Sequence, residues 1–357
     1  MVEVRKGMPA VQLPQDEFER RFLRRFKDPA FDPLRAELKK IAEAAWDGYS
    51  NSRKAPHTVK AGPGFADPDY DLSIEWLDAS RAVQAAQRIH EDPKSPSRIL
   101  LVNASSRTEQ TCPGEMSKSY RLAGLAHEII AAETGFECDQ LNISDLTAEY
   151  GRVIYPCKSC VSTAMPLCHW PCSCYPNHAL AQNNDWMNEI YPRWVRAHGI
   201  MIVAPVNWYM VSSAFKLMMD RLVCADGGNP DPTSTHGKDP KKAKEVELAG
   251  WPYPRHLAGR VFSVFAHGDA AGADTLADTL TNWLTDMDLI PAGDLAVQGR
   301  YICYLTPYAT SHDDLDSETA TQEDVRNAAR ALVQAVKLRR AGDLPQPDQD
   351  LKEPRQK

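Results

Sequence analysis

Five of the nine cysteines lie close together in residues 155–174. Clustered thiolates are ligands for iron-sulfur centres and for zinc, and close pairs also act as redox-active dithiols. The crowding therefore predicts a metal or iron-sulfur centre or a dithiol, with reduced thiols of no special role as the plain alternative. The cysteines concerned are Cys157, Cys160, Cys168, Cys172 and Cys174.

Other features of the sequence indicate the cellular compartment and the kind of partner. The N-terminal residues contain no apolar core of a secretion signal, and no later apolar run approaches membrane-spanning length. We therefore expect a cytoplasmic protein without membrane contact, where clustered cysteines ligate metal more often than they form disulfides. The net charge of -7 and the pI of about 5.8 give no basic surface for nucleic acid, so a small-molecule partner is expected.

Helices and strands must position these candidate side chains. The sequence pattern that predicts such elements changes near residue 98. From there, short apolar runs alternate with amphipathic helices, which is typical of a parallel sheet covered on both faces. This pattern predicts an α/β, doubly wound fold in which ligands bind at the carboxyl ends of the strands. The predicted strands are residues 98–103, 136–141, 199–205, 260–267 and 295–305, and the predicted helices are residues 119–134, 212–224, 273–287 and 322–341.

The chain divides into three predicted regions. Residues 1–95 read as a helical and irregular N-terminal extension, and residues 96–342 as the α/β domain, with a cysteine-rich insertion at residues 155–178. Residues 343–357 are polar and contain proline, so we expect a disordered tail.

The loop after the first strand offers donors for a phosphate. Hydroxyl groups and a guanidinium precede a helix, whose N-terminus favours anions. The alternative is that these hydroxyls only cap the helix. Neither G-x-G-x-x-G nor G-x-x-x-x-G-K-[ST] occurs here, so a dinucleotide turn and a nucleotide-hydrolysing loop are not supported. The candidate residues are Ser105, Ser106, Arg107, Ser117 and Ser119.

The loops after the third and fourth strands suit a planar ligand. The first contains Pro205, Asn207 and Trp208, which offer flat apolar surface and backbone amides. The second begins at Gly268 and contains small residues that let a ligand approach the backbone. The alternative for both is that they merely connect elements.

Three segments together, "ILLVNASSR", "APVNWYMVSSAFKLMMDRL" and "HGDAAG", resemble the NAD(P)H-dependent FMN reductases. This family has a flavodoxin-like fold and includes iron-sulfur flavoproteins. The resemblance covers about residues 98–305 and implies a five-stranded sheet in the order 2-1-3-4-5, bound FMN, NAD(P)H as co-substrate and a homodimer. It implies phosphate contacts at Ser105, Arg107 and Ser119, and ring contacts at Pro205, Val206, Asn207, Trp208, Gly268 and Asp269. The first loop is longer than in the family by "TEQTCPGEM", and Asn207 stands where members often have an aromatic residue.

The resemblance also bears on the cysteines. Iron-sulfur flavoproteins carry a compact cysteine motif between the second and third strands, where this chain has its five cysteines. The family's usual third cysteine falls on Thr163 here, so the ligands of a cluster would include later cysteines. Zinc is the alternative, although Cys172-x-Cys174 is a poor second zinc knuckle.

The predicted function follows from the flavin. We expect an FMN-containing, NAD(P)H-dependent oxidoreductase that passes electrons to a small-molecule or protein acceptor, through an iron-sulfur centre if one is present. Because the flavin carries the chemistry, we expect no catalytic acid-base side chain. The alternatives are a flavodoxin-like electron carrier without NAD(P)H activity and a non-catalytic binding module stapled by zinc.

Overall fold

The computed structural model describes residues 2–53, 57–159, 168, 169, 172, 174, 184–222, 227–250, 255–303 and 306–344. Cys160, most of the remaining predicted insertion, and residues 345–357 of the predicted tail lie outside the described residues.

The described residues contain eleven α-helices and eight strands. The helices are α1 (Gln15–Leu23), α2 (Arg35–Ser50), α3 (Ile74–Glu91), α4 (Lys118–Ala131), α5 (Asp145–Ala148), α6 (Met187–Arg196), α7 (Ser213–Arg221), α8 (Pro240–Ala249), α9 (Ala273–Asp286), α10 (Ser311–Ser317) and α11 (Thr319–Ala341). The strands are β1 (Thr58–Lys60), β2 (Asp71–Ser73), β3 (Ser97–Asn103), β4 (Phe136–Asn142), β5 (Gly199–Pro205), β6 (Val261–Gly268), β7 (Ile290–Pro291) and β8 (Val297–Tyr301).

The chain forms two compact units. The smaller comprises Met1–Arg81, Cys157–Asp185 and Gly228–Pro252, and the larger comprises Ala82–Pro156, Trp186–Gly227 and Tyr253–Lys357. In the smaller unit, Phe18 of α1 stacks on Tyr49 of α2 with ring centroids 4.7 Å apart, and β1 pairs with β2 in antiparallel fashion.

The larger unit is built on a parallel sheet in the order β4-β3-β5-β6, and both β7 and β8 pair with the far edge of β6. The predicted flavodoxin-like α/β fold is confirmed. The far edge differs from the prediction, because two short strands share it instead of one longer strand. Gly293, at φ +113°, lies between them and turns the chain from β7 to β8.

Burial explains why the central strands were predicted from apolar runs in the sequence. Every residue of β6 is buried, as is every residue of β5 except the last. In β3, Ile99 and Leu101 pack with α4 and α11, while the alternate residues Leu100 and Val102 are equally buried and face the other side. Both faces of the sheet are therefore covered, as a parallel sheet requires.

Candidate functional site

The loops after β3, β5 and β6 meet in one cavity at the carboxyl end of the sheet. We call it the lysine cavity; its volume is about 180 Å³. All the residues predicted to bind a cofactor line it, except Trp208. The lining residues are Ser105, Ser106, Arg107, Ser117, Lys118, Ser119, Pro205, Val206, Asn207, His267, Gly268, Asp269 and Tyr308.

Side chains of the first loop fix its backbone. Asn103, the last residue of β3, accepts a hydrogen bond at Oδ1 from the Ser105 N–H at 3.2 Å. The Ser105 hydroxyl oxygen accepts one from the Arg107 N–H at 3.1 Å. The Arg107 guanidinium donates from Nη1 to the Tyr308 hydroxyl at 2.5 Å and from Nη2 to the Glu115 carbonyl at 3.2 Å. Its buried Nε has no hydrogen-bond partner among the described residues.

Lys118 is the first residue of α4 and follows the N-cap Ser117, whose hydroxyl accepts from the Tyr120 N–H at 3.2 Å. The lysine is 7% exposed. Its Nζ lies 4.0 Å from the centroid of the Tyr308 ring, but in the part of the chain that the structure describes it finds no hydrogen-bond acceptor. The positive end of the helix dipole disfavours a cation here. The Lys118 ammonium is therefore buried in this corner with no hydrogen-bond acceptor among the described residues.

Ser119 and His267 form a buried pair at the floor of the cavity. The Ser119 Oγ and the His267 Nε2 are 2.8 Å apart. Burial, reinforced by the Lys118 charge, lowers the pKa of His267 to about 3. The imidazole is therefore neutral near pH 7, and its Nδ1 has no hydrogen-bond partner within the described ranges.

The loop after β5 is a tight hairpin. Asn207 and Met210 exchange backbone hydrogen bonds of 2.8 and 3.0 Å. Trp208 and Tyr209 between them have φ of +51° and +67°, as in a type I′ turn. Trp208 is 95% exposed and does not line the lysine cavity, so its contact with a cofactor ring stays a prediction.

The small residues after β6 let this hairpin lie against their own loop. A Cβ on Gly268 would come within 3.2 Å of the Val206 side chain, and one on Gly272 within 2.9 Å of the Tyr209 Cδ1. Gly272 also has φ of +114°, which side-chain-bearing residues rarely adopt. The close approach seen here is thus between two loops of the protein.

A second and larger cavity adjoins the first loop on its β4 side. We call it the insertion cavity, because the segment that lengthens the first loop forms part of its wall; its volume is about 540 Å³. It shares Arg107 and Ser117 with the lysine cavity. Its other lining residues are Thr108, Glu109, Gln110, Met116, Tyr120, Asn142, Ser144, Asp145, Ala148 and Glu149.

Four of the five predicted metal ligands lie in the part of the chain that the structure describes, and Cys160 lies outside it. Among the described residues no group of three or more His, Cys, Asp or Glu side chains is placed to hold a metal ion. Cys157 accepts a hydrogen bond at its sulfur from the Ser159 N–H at 3.3 Å. Cys168 is buried next to His169, whose Nε2 lies 3.1 Å from the Thr235 Oγ1. Neither the iron-sulfur nor the zinc prediction gains support from this arrangement.

Sequence reasoning missed three lining residues. Lys118 stood between two predicted serines, and its signal was a cation at the start of a helix, where the dipole disfavours one. His267 ends an apolar strand and looked like ordinary core. Tyr308 lies far along the chain from the first loop, and no local pattern connects the two.

Among the described residues, no helix is both long enough and apolar enough to cross a membrane.

Comparison with known proteins identifies the family of the chain. The family model described as NADPH-dependent FMN reductase matches residues 97–300, more than half of the chain. The comparison with curated proteins found no match.

Several solved structures are similar. RosB with a bound intermediate is 15% identical, with 70% of this chain and 82% of that chain covered and a TM-score of 0.46. An oxidoreductase from Corynebacterium diphtheriae is 12% identical, with 68% and 98% covered and a TM-score of 0.39. An FMN-dependent NADH-azoreductase from Bacillus anthracis, in complex with FMN, is 16% identical, with 66% and 99% covered and a TM-score of 0.35. On the family match, the chain belongs to the NADPH-dependent FMN reductases, a family of flavoprotein oxidoreductases.

Proposed function

We propose that this chain binds FMN with its phosphate in the lysine cavity, takes electrons from NAD(P)H and passes them to a further acceptor. The observation that carries the proposal is the buried Lys118 ammonium, which has no hydrogen-bond acceptor among the described residues. An uncompensated buried charge is costly, so its retention favours an anionic ligand at that point.

The neighbouring groups fit a phosphate. The Ser106 hydroxyl and the Arg107 Nε are also buried without a hydrogen-bond partner within the described chain. Lys118 and Ser119 begin α4, and the N-terminus of a helix favours an anion through its dipole and its unpaired N–H groups. A phosphate accepts from all of these donors at once. The cavity of 180 Å³ is smaller than typical cofactor sites of about 300–1,000 Å³. We therefore place the phosphate inside it and the ring over the hairpin after β5.

The Ser119–His267 hydrogen bond determines which of the two side chains carries a proton toward the phosphate. If the neutral His267 donates from Nε2 to the Ser119 Oγ, the serine keeps its own proton for the phosphate. The Nδ1 lone pair then remains unpaired, which is less costly than a buried N–H without an acceptor. This difference in cost favours the Nε2–H tautomer, which leaves the Ser119 hydroxyl proton available to the phosphate.

Bound FMN supplies hydride acceptance and one- or two-electron transfer. The residues of this chain bind and orient it. The Val206 N–H donates to the His267 carbonyl at 2.8 Å, which ties the hairpin to the end of β6 and fixes the surface on which the ring rests. Asp269 is the one carboxylate that lines the cavity within the described residues, and we expect no obligatory acid-base role for it.

The proposal is tested by binding and by reduction. The purified protein, freed of ligand, should bind FMN more tightly than riboflavin, which lacks the phosphate. Under anaerobic conditions NADPH or NADH should bleach the flavin absorption of the complex. If FMN binds but neither nucleotide reduces it, the chain is an electron carrier fed by another protein. If riboflavin binds as tightly as FMN, the phosphate assignment is wrong.

We propose separately that the chain binds an iron-sulfur centre. It rests on the crowding of the five cysteines and on the family resemblance, with Cys157 and Cys160 as the first ligand pair. Protein purified anaerobically should contain iron and acid-labile sulfide, and Cys157→Ala combined with Cys160→Ala should abolish both while FMN stays bound. Zinc without sulfide would support the alternative, a structural zinc site. Protein that is folded and active without iron or zinc would refute both the iron-sulfur and the zinc hypotheses.

A homodimer and a cytoplasmic location also stay predictions. Sedimentation of the FMN complex decides the first, and localisation of a tagged chain decides the second.

A further inference from the structure

Tyr308 lines the lysine cavity, although it comes 201 positions after Arg107 in the chain. We propose that its hydroxyl donates a hydrogen bond to the cofactor phosphate, and that residues Tyr308–Ser317 slow the release of FMN. We call these residues the clasp; they form a short 3₁₀ helix, Tyr308–Thr310, followed by α10. The inference rests on the proposed function, because it takes the position of the phosphate from it.

The Tyr308 hydroxyl has a proton to donate. Its oxygen accepts a hydrogen bond from the Arg107 Nη1 at 2.5 Å. A phenol both accepts and donates, and the Tyr308 proton finds no acceptor among the residues that the structure describes. A hydroxyl that accepts from a guanidinium is a stronger donor, because linked hydrogen bonds polarise one another. A phosphate oxygen in the lysine cavity is the acceptor that this hydroxyl lacks.

The Tyr308 ring contacts both cations of the proposed phosphate site. The Lys118 Nζ lies 4.0 Å from the ring centroid, and the Arg107 Cζ lies 5.8 Å from it. Both distances are within the range of about 6 Å over which a cation is attracted to an aromatic face. The side chain is itself 47% exposed. Its position is therefore explained by the two cations better than by burial.

The clasp is tied to the first loop by side-chain hydrogen bonds. The His312 Nε2 lies 3.0 Å from the Met116 carbonyl oxygen, and the His312 Nδ1 lies 3.1 Å from the Arg121 Nη1. Because a guanidinium only donates, Nδ1 accepts and Nε2 carries the proton that is donated to Met116. Arg121 also donates to the His312 carbonyl at 3.1 Å and pairs with Asp316. The clasp thus contacts both the lengthened loop and α4.

The clasp is also anchored in the core. Leu315 of α10 is 1% exposed and belongs to the core cluster that contains Leu122 of α4. The hydroxyls of Thr306 and Thr310 both donate to the Asp314 carboxylate, at 2.7 and 3.4 Å, and close the turn that carries Tyr308. An anchored element therefore presents Tyr308 to the cavity.

These contacts give a role to the segment that lengthens the first loop. Its last two residues, Glu115 and Met116, supply the carbonyls that accept from Arg107 and His312. A loop without the segment would lack both acceptors, and the clasp would lose its His312 contact. The clasp should act mainly on dissociation, because affinity differences within one site lie mostly in the off-rate.

The experiment measures the affinity and the dissociation rate of FMN and of riboflavin by flavin fluorescence. Tyr308→Phe removes the hydroxyl and keeps the ring over Lys118. It should weaken FMN binding about tenfold, through the loss of a hydrogen bond to a charged group, and leave riboflavin binding unchanged. Inorganic phosphate should compete with FMN on the wild-type protein and compete more weakly on the variant.

A second variant tests the tie between the clasp and the loop. His312→Ala removes the hydrogen bond to Met116 without changing a residue that lines the lysine cavity. It should speed the release of FMN by a smaller factor, because Arg121 still binds the backbone carbonyl of residue 312, and leave riboflavin release unchanged. Tyr150→Phe is the matched control for a lost hydroxyl, since Tyr150 is fully exposed and lines neither cavity.

The outcomes separate the clasp from the proposed function. If wild type prefers FMN to riboflavin and Tyr308→Phe keeps the full preference, the hydroxyl assignment is overturned and the proposed function stands. If Tyr308→Phe weakens both flavins equally, the tyrosine supports the fold of the site, and the assignment is again overturned. If His312→Ala releases FMN at the wild-type rate, the clasp does not retain the cofactor. If wild type binds riboflavin as tightly as FMN, the phosphate position fails, and the clasp proposal fails with it.

Discussion

Replacing Lys118 by methionine should have opposite effects on cofactor binding and on the stability of the ligand-free protein. Methionine keeps most of the length and apolar volume of the lysine stem but removes the charge. A charge-assisted hydrogen bond contributes about 1.5–3 kcal/mol. Its loss therefore corresponds to an FMN affinity lower by about 10- to 150-fold.

The stability of the ligand-free protein should move the other way or not at all. Lys118 is 7% exposed, and its Nζ lies over the Tyr308 ring at 4.0 Å. A cation–π contact is worth about 0.5–2 kcal/mol, whereas keeping a buried ammonium without an acceptor costs several kcal/mol. The methionine variant loses the smaller contribution and is relieved of the larger cost. Its urea midpoint should equal or exceed that of wild type.

Riboflavin provides the decisive comparison, because it carries the same ring without the phosphate. Lys118→Met should weaken FMN binding and leave riboflavin binding unchanged. Lys216→Met is the matched control: Lys216 is half-exposed, pairs with Asp220 on α7 and does not line the lysine cavity. An equal loss for FMN and riboflavin would show that the variant disturbs the fold of the site. An unchanged FMN affinity would refute the reasoning.

Four further substitutions test other parts of the site and the elements that support it. Because the pKa of His267 is about 3 in the folded chain, against 6.5 for an unperturbed imidazole, the unfolded state takes up more protons below pH 6.5. Stability should therefore fall by about 2 kcal/mol per such histidine between pH 7 and pH 5, and His267→Gln should flatten that slope in urea titrations. Gly299→Ala should destabilise by about 1–3 kcal/mol, because its Cβ would come within 2.9 Å of backbone atoms of Ala273 and Asp274. Gly124→Ala, with open space around it in α4, should instead stabilise by about 0.5–1 kcal/mol. Trp208→Ala should shift the absorption spectrum of bound FMN while stability changes by no more than about 0.5 kcal/mol, since the side chain is 95% exposed; an unchanged spectrum would remove Trp208 from the ring site.

The sheet was predictable because burial on both faces leaves a direct trace in the sequence. β5 and β6 are almost wholly buried and therefore read as unbroken apolar runs. β4 has only one buried residue, Leu141, and its sequence is correspondingly mixed. The two-residue β7 leaves no trace at all, because so short a strand has no period to detect.

The sequence did not predict which segments form the smaller unit, because these segments are far apart in the chain. The Ala66 N–H donates to the Asp231 Oδ2 at 2.7 Å, and the Asp67 N–H donates to the Thr233 Oγ1 at 3.0 Å. These contacts join positions more than 160 residues apart. Side chains that cap remote backbone groups have no local spacing that sequence patterns could reveal.

The residues missed in the lysine cavity share a property that a sequence could have revealed. Lys118 starts a helix where a carboxylate would stabilise the dipole, and His267 is the last residue but one of β6, in which every residue is buried. Each is unfavourable for the ligand-free fold, because folding leaves Nζ and Nδ1 buried without hydrogen-bond partners in the described chain. A hydroxyl-rich loop alone is equally consistent with helix capping. A cation that weakens its own helix in such a loop is better explained by a bound anion, because ligand binding returns the lost stability in proportion to the logarithm of ligand concentration over Kd. Residues that oppose local preference are therefore better indicators of this site than residues that satisfy it.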